Sequence, residues 1–203
     1  MGRRAAMATV AMPCHHCRQM RQLLLLRHAK SAWDDPALAD HARPLNGRGR
    51  LSARRIATEM ARLGLSPEVV VVSSARRTLQ TLDAMKPLEG NPIIRMMDEM
   101  YLAPWEHLLG MLHQVPETVR SVMMIGHNPG LHDLALNLLA PQAEPTPALF
   151  RLREGYPTAA LTEFAIAAPW HALTDGGGRL IQFIAPRDLP GAENLTEAAE
   201  GQA

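Results

Sequence analysis

The chain has 203 residues, of which 47% are hydrophobic and 20% are charged, as is usual for a globular protein with one sizeable core. Its 21 basic and 20 acidic residues leave a net charge of +1, so no overall field favours nucleic acid or an anionic membrane. No apolar run approaches the roughly 18 residues that a membrane-spanning helix needs. The segment before Met20 has no apolar core or cleavage signal typical of a secretory peptide. We therefore expect a cytoplasmic protein with no nucleic-acid or membrane partner.

The leading residues contain both cysteines of the chain, in the sequence Cys14-His15-His16-Cys17. A structural zinc site usually needs a second pair of ligands at regular spacing, and no such pair follows. We therefore predict no metal and no cofactor. We expect residues 1–20 to be a disordered extension, residues 21–188 to form one domain, and the acidic segment 189–203 to be a disordered tail.

The first predicted element is a strand of four leucines, Leu23–Leu26. Such a run favours a strand that is buried on both faces in the middle of a parallel sheet. A polar loop, Ser31–Leu45, follows it. Asn46 is a suitable cap for a helix that we expect to end near Leu63, because Gly64 is a natural C-terminal stop.

Strands and helices continue to alternate along the chain. We expect, in order, a strand at Glu68–Val72, a helix that is capped by Ser73 or Ser74 and ends before Pro87, a strand at Ile93–Met96, a helix at Trp105–Val115, a strand at Arg120–Ile125 and a helix through Leu131–Leu138. The proline-rich segment Ala140–Pro157 is predicted to be an irregular surface excursion. Two last strands, Ala159–Ile166 and Arg179–Ala185, would pair as an antiparallel edge. This order predicts a three-layer α/β/α sandwich with a mostly parallel central sheet and an antiparallel edge strand.

Polar residues follow three of these strands where each one ends. Arg27 and His28 follow the first strand, Arg77 lies in the first turn of the helix after the second, and His127 follows the fourth. The carboxyl ends of parallel strands lie at one edge of a sheet, which is where ligands bind in open α/β folds. Two arginines, two histidines and two helix N-termini would then surround a site suited to phosphate.

The same residues resemble the signature of the histidine phosphatase superfamily, which has the phosphoglycerate-mutase-like fold. Three motifs carry the resemblance: Arg27-His28, Arg77-Thr78-Leu79-Gln80-Thr81 and Gly126-His127. Three longer segments are similar to those of the SixA-type phosphohistidine phosphatases: Leu26–Ser31, Asp40–Asn46 with Gly49, and Gly126–Gly130. The resemblance extends from about Leu23 to Ala185.

The resemblance implies that His28 attacks phosphorus and forms a phosphohistidine, which water then hydrolyses. Arg27, Arg77 and a protonated His127 would stabilise the phosphoryl oxygens and disfavour a proton on His28, so that no metal is needed. Three further residues are expected at substrate-binding positions: Lys30, Arg43 and Asn128. Lys30 could equally be solvated, and Arg43 could equally form a salt bridge within its loop.

The chain departs from the superfamily pattern in two places. Ala29 replaces the usual glycine after the histidine, so this loop must use an ordinary backbone conformation. Mutases and many broad phosphatases of the superfamily use a carboxylate after the third strand to protonate the leaving group. Asp98 and Glu99 lie near that place, but their neighbours do not match the usual acid motif, so the general acid stays open.

The leading hypothesis is a phosphohistidine phosphatase-like hydrolase, expected to be a monomer, whose partner is a phosphorylated protein. A phosphatase of small phosphomonoesters, with Glu99 or Asp98 as acid, is the first alternative. A mutase is less favoured because the chain is short. A catalytically silent phosphate-binding module is a further alternative. The four intact residues of the motifs argue against it: Arg27, His28, Arg77 and His127.

Overall fold

In the computed structural model, which describes residues 20–190, six strands form one sheet. The strands are β1 (Arg21–Arg27), β2 (Val69–Ser73), β3 (Ile93–Met97), β4 (Ser121–Gly126), β5 (Leu161–Ile166) and β6 (Gly178–Ile184). Their order across the sheet is β3-β2-β4-β1-β5-β6. The first four strands are parallel, whereas β5 pairs antiparallel with β1 and β6 antiparallel with β5.

Five α-helices cover the two faces of this sheet. They are α1 (Gly47–Leu63), α2 (Arg76–Met85), α3 (Trp105–His113), α4 (Gly130–Asn137) and α5 (Pro147–Glu154). Buried side chains of α1 and α2 pack on one face, and those of α3, α4 and α5 pack on the other. The predicted α/β/α sandwich with an antiparallel edge is confirmed.

The four leucines of β1 explain why this strand lies inside the sheet. Leu23 and Leu25 point into the core beneath α3 and α4, whereas Leu24 and Leu26 point into the core beneath α1 and α2. All four have an exposed fraction of 0%. A strand with helices on both faces needs an apolar side chain at every position, which is what the leucine run supplies.

Strand register aligns the carboxyl ends that carry the polar residues. Arg27 at the end of β1 lies opposite Gly126 at the end of β4, and the amide of His28 donates to the carbonyl of Gly126 over 3.0 Å. Strand β2 lies on the other side of β4 and runs in the same direction. The loops after β1, β2 and β4 therefore meet at one edge of the sheet.

Two local predictions are wrong. The segment expected to be irregular contains α5, because Thr146 caps that helix through the amide of Leu149 and Leu152 is buried in the core. Helix α2 has Ala75 at its N-cap position with no side-chain cap, so neither Ser73 nor Ser74 caps it. The hydroxyl of Ser73 has a different partner, described below.

Within residues 20–190, no helix is both long and apolar enough to cross a membrane. In the same range, no group of three or more His, Cys, Asp or Glu residues is placed to bind a metal ion. Cys14 and Cys17 lie outside the described residues, as do residues 1–19 of the expected extension and 191–203 of the expected tail. The prediction that the protein needs no metal stays a prediction.

Candidate active site

A cleft of about 470 Å³ opens at the carboxyl edge of the parallel strands. Its lining includes every residue that the sequence predicts for catalysis or substrate binding, the two candidate acids excepted: Arg27, His28, Lys30, Arg43, Arg77, His127 and Asn128. The imidazole rings of His28 and His127 lie side by side, with centroids 5.2 Å apart. The four residues of the three motifs therefore surround one small volume.

His28 presents a single ring nitrogen to the cleft. Its Nδ1 lies 2.8 Å from the carbonyl oxygen of Ala29, which can only accept a hydrogen bond, so the proton is assigned to Nδ1. Its Nε2 then carries the lone pair, and Arg77 Nε donates to it over 3.3 Å. This unprotonated nitrogen therefore lies next to a guanidinium group of the kind that can bind phosphate.

Burial and nearby cations keep His28 neutral. The residue is only 8% exposed. Burial, followed by the positive charges of Arg77 and Arg27, lowers the pKa of His28 to about 4, even though its bond to the Ala29 carbonyl acts in the opposite direction. The imidazole is therefore unprotonated near neutral pH, which is the state that a nucleophile requires.

Arg77 connects the two histidines. It is 4% exposed at the start of α2. Its Nη2 donates to Nδ1 of His127 over 3.2 Å and to Oδ2 of Asp40 over 3.0 Å, while its Nη1 donates to the Asp40 carbonyl over 2.6 Å. This guanidinium is thus fixed by hydrogen bonds to His28, His127 and Asp40.

His127 is neutral, contrary to the expectation that it is protonated. Burial, followed by the charge that His28 acquires at low pH and by the charge of Arg77, lowers the pKa of His127 to about 3. Since Nδ1 accepts from Arg77, the ring proton is assigned to Nε2, which donates to Ser73 Oγ over 2.8 Å. The serine predicted as a helix cap instead orients this histidine.

Asp40 is a carboxylate at the site that stays ionised. It accepts from Tyr101 over 2.6 Å and from Arg77 and Arg43 over 3.0 Å each. The hydrogen bond from Tyr101 and then the charge of Arg77 lower the pKa of Asp40, despite an opposing effect of partial burial. An acid whose proton is lost this readily is a poor proton donor near neutral pH.

Arg27 and Asn128 share one hydrogen-bond acceptor. Arg27 Nη1 donates to the carbonyl of Tyr156 over 2.7 Å, and Asn128 Nδ2 donates to the same oxygen over 3.0 Å. Burial, followed by the charge of Arg77, lowers the pKa of Arg27, although an arginine remains charged under all physiological conditions. Both side chains are thereby held at the wall of the cleft.

Arg43 and Lys30 differ in how firmly they are held. Arg43 is 6% exposed, bonds to Ser31 Oγ over 2.9 Å and forms the salt bridge to Asp40. Its guanidinium also stacks on the exposed Trp33 ring. Lys30 is exposed at the rim. Both residues line the cleft. Arg43 also forms a salt bridge within its loop, which was the predicted alternative to a contact with substrate.

The two candidate acids do not line this cleft. Asp98 and Glu99 lie in a short 3₁₀ helix after β3 and are both exposed. Glu99 lines a separate cavity of about 460 Å³ together with Arg95 and Glu106. Neither carboxylate is therefore among the described residues that surround His28.

The polar residues of the second motif support the loop that carries His28. Thr81 Oγ1 accepts from the amide of Ala29 over 3.0 Å, and Gln80 Oε1 accepts from the amide of Leu45 over 2.7 Å. Gly49 lets α1 approach, since a Cβ there would lie 2.2 Å from the Lys30 carbonyl. Ala29 does not have a positive φ, so the alanine in place of glycine fits without strain.

Sequence reasoning missed the roles of Asp40, Ser73, Tyr101 and Tyr156. Asp40 lies inside a segment that the motifs already mark, and Ser73 lies at the end of β2, where polar residues were expected to form the site, so their position in the chain was a usable signal. Tyr101 follows the candidate acids and reaches Asp40 from a distant part of the chain. Tyr156 acts through its backbone carbonyl, which no side-chain pattern could have indicated.

Comparisons with known proteins agree with this geometry. The family model of the histidine phosphatase superfamily (branch 1) matches residues 23–122. An uncharacterized chloroplastic protein of Arabidopsis thaliana is 30% identical over an alignment of 177 residues that covers 82% of this chain and 78% of that protein.

Two solved structures of similar proteins cover nearly the same part of the chain. A putative phosphohistidine phosphatase SixA from Agrobacterium tumefaciens is 33% identical, with a TM-score of 0.67 over 82% of this chain and 98% of its own. Another putative SixA, from Nakamurella multipartitia, is 28% identical, with a TM-score of 0.72 over 82% of this chain and 96% of its own.

Proposed function

The chain belongs to the histidine phosphatase superfamily, in its SixA-type branch, and from this premise we propose that it hydrolyses phosphohistidine in proteins through a phosphoryl intermediate on His28. One observation carries the proposal. The only ring nitrogen of His28 that is available to a substrate is an unprotonated Nε2 beside Arg77, and Asp40, the one carboxyl group among the described lining residues of the cleft, has a lowered pKa.

In the first step, Nε2 of His28 attacks phosphorus while the bond from phosphorus to the substrate imidazole breaks. Arg27 and Arg77 bind the phosphoryl oxygens and stabilise the negative charge that spreads over them in the transition state. The other ring nitrogen of the substrate takes a proton from solvent before the transfer, so that when the bond breaks the substrate imidazole leaves as a neutral ring. In the second step, water attacks phosphorus, the bond to His28 breaks, and inorganic phosphate is released.

His127 contributes as a donor once phosphate is bound. In the free site its Nδ1 accepts from Arg77, so it offers no proton towards the cleft at that atom. A phosphoryl dianion next to the ring would raise the pKa of His127, because an opposite charge favours the protonated form. Nδ1 then takes a proton and donates to a phosphoryl oxygen, while Nε2 keeps its bond to Ser73.

The character of the leaving group separates the proposed substrate from simple esters. An alkoxide leaves slowly unless an acid protonates it, and such acid catalysis contributes about 10²–10⁴-fold. Asp40 is held ionised by Tyr101 and Arg77, and Glu99 lines a different cavity. Imidazole and activated phenols leave without that help, so the site favours phosphohistidine and aryl phosphates over phosphoserine and sugar phosphates.

A comparison of three substrates with one preparation tests this proposal. We expect turnover of a phosphohistidine peptide and of an aryl phosphate, and a kcat/KM about 10²-fold or more lower for a phosphoserine peptide, because no acid assists its departure. Brisk hydrolysis of the phosphoserine peptide that collapses in Glu99→Gln would instead favour a small-phosphoester phosphatase with Glu99 as its acid. Hydrolysis of the aryl phosphate without hydrolysis of the phosphohistidine peptide would contradict the proposed substrate but would not contradict His28 as the nucleophile.

We also propose the domain bounds, the location, the oligomeric state and the substrate contacts of this enzyme. Residues 21–188 would form the catalytic domain, and the protein would act as a cytoplasmic monomer on a phosphorylated protein partner. Lys30, Arg43 and Asn128 are proposed to contact the substrate around the phosphoryl group, which their places in the cleft lining support.

A further inference from the structure

A second cavity of about 700 Å³ adjoins the catalytic cleft and has a basic lining. We call it the basic groove and define it by four of its lining residues: Lys30, Trp33, Arg48 and Arg50. Lys30 and Trp33 line both the groove and the cleft, so the two spaces are adjacent. A substrate whose phosphoryl group lies beside His28 could therefore extend into the groove.

The cations of the groove are not neutralised within the described part of the chain. None of Lys30, Arg48 and Arg50 has a carboxylate partner among the ion pairs of residues 20–190. Arg50 Nη1 donates to the carbonyl of Leu45, which carries no charge to offset its own. Among the described lining residues, Asp34 is the single carboxylate. The groove thus has three positive side chains and one negative one.

The position of two of these arginines opposes helix stability. Arg48 and Arg50 lie in the first turn of α1, and that turn contains no acidic residue. The N-terminus of a helix carries a partial positive charge, so cations there are unfavourable and acidic side chains are favoured. Positions that break a local preference without a compensating ion pair are often functional ones.

We propose that the basic groove binds acidic side chains that flank the phosphohistidine of a protein substrate. This inference rests on the proposed function, because it assumes a protein that presents its phosphohistidine to His28. Trp33 is 77% exposed at the junction of the two spaces, with Arg43 stacked on its ring, and offers a fixed apolar surface to the peptide between the phosphohistidine and its acidic neighbours.

Binding of two labelled peptides tests the groove without any turnover. Both peptides carry a phosphonate-triazole in place of phosphohistidine, one with flanking Asp and Glu and the other with Asn and Gln, and fluorescence anisotropy reports Kd. We expect the acidic peptide to bind more tightly, and Arg48→Ala to weaken its binding about threefold with a smaller effect on the neutral one, as for one exposed ion pair. Raising the salt concentration should reduce the preference.

Arg54→Ala is the matched control, since Arg54 is an exposed arginine of the same helix that does not line the groove. It should leave the preference for the acidic peptide unchanged. Equal Kd values for the two peptides, no binding of the acidic peptide, or equal losses in Arg48→Ala and Arg54→Ala would overturn the proposal. Hydrolysis of aryl phosphate and of a phosphohistidine peptide by the same preparation reports separately on the proposed function, so its failure is distinguishable.

Discussion

Replacing His28 by asparagine is expected to remove part of the acid sensitivity of the fold. In the native protein, burial and the charges of Arg77 and Arg27 lower the pKa of His28 to about 4, whereas in the unfolded chain its pKa is about 6.5. Between these values the unfolded state binds a proton at this position that the native state does not. The free energy of unfolding must therefore fall as the pH falls from about 6.5 to about 4.

The magnitude follows from the separation of the two pKa values. Each pH unit within the window costs about 1.4 kcal/mol, so His28 alone should account for about 2 kcal/mol between about pH 7 and about pH 4.5. Asparagine cannot take up this proton, and its side-chain amide can still donate to the carbonyl of Ala29 in the place of Nδ1. The other titrating groups are present in both proteins and largely cancel in the difference. His127 is the exception, because His28 helps to lower its pKa; removing His28 therefore reduces the acid sensitivity that arises from His127 as well, in the same direction.

Urea unfolding at about pH 7 and about pH 4.5 measures this difference. Tryptophan fluorescence is a suitable signal, because Trp170 has an exposed fraction of 0% in the native protein. The wild-type protein should lose about 2 kcal/mol more than His28→Asn on acidification. Equal losses in the two proteins would refute the reasoning, because His28 would then have an ordinary pKa in the folded state.

Three further predictions concern residues outside the cleft. Glu99→Gln and Asp98→Asn should each change phosphohistidine turnover by less than about twofold, well below the 10²-fold typical of a lost acid, and a collapse in either variant would identify that residue as the acid. Deleting Met1–Gln19 should change neither activity nor melting temperature, and purified protein should contain no stoichiometric zinc; one zinc per chain, lost in Cys14→Ser, would contradict this. Arg48→Glu should raise the free energy of unfolding by about 0.3–1 kcal/mol, because it places an anion at a helix N-terminus, and a loss of stability in urea unfolding would argue against that reasoning.

The parts of the site that local sequence determines could be predicted. A run of buried leucines followed by Arg27 and His28 marks a strand and its end within a few residues, and the same holds for Arg77 and His127. Parallel strands then place their ends at one edge, so the convergence of these side chains follows from topology alone.

The hydrogen-bond partners could not be predicted, because they depend on packing between distant segments. Ser73 has the sequence position of a helix cap, yet its hydroxyl accepts from Nε2 of His127 and α2 has no side-chain cap. The prediction that His127 is protonated was wrong for the free site for the same reason, since burial and neighbouring positive charges lower its pKa. Helix α5 was missed because prolines in a short segment suggested a loop, whereas Thr146 and Pro147 in fact start a helix.

The most direct test of the central claim is isolation of the phosphorylated enzyme. Wild-type protein is mixed rapidly with an aryl phosphate, quenched in base so that phosphohistidine survives, and analysed by peptide mass spectrometry and phosphorus NMR. The account predicts one phosphoryl group on Nε2 of His28 and none in His28→Ala, which should keep its fold and lose its turnover. A phosphoryl group on another residue, or more than a few per cent of wild-type activity in His28→Ala, would contradict it.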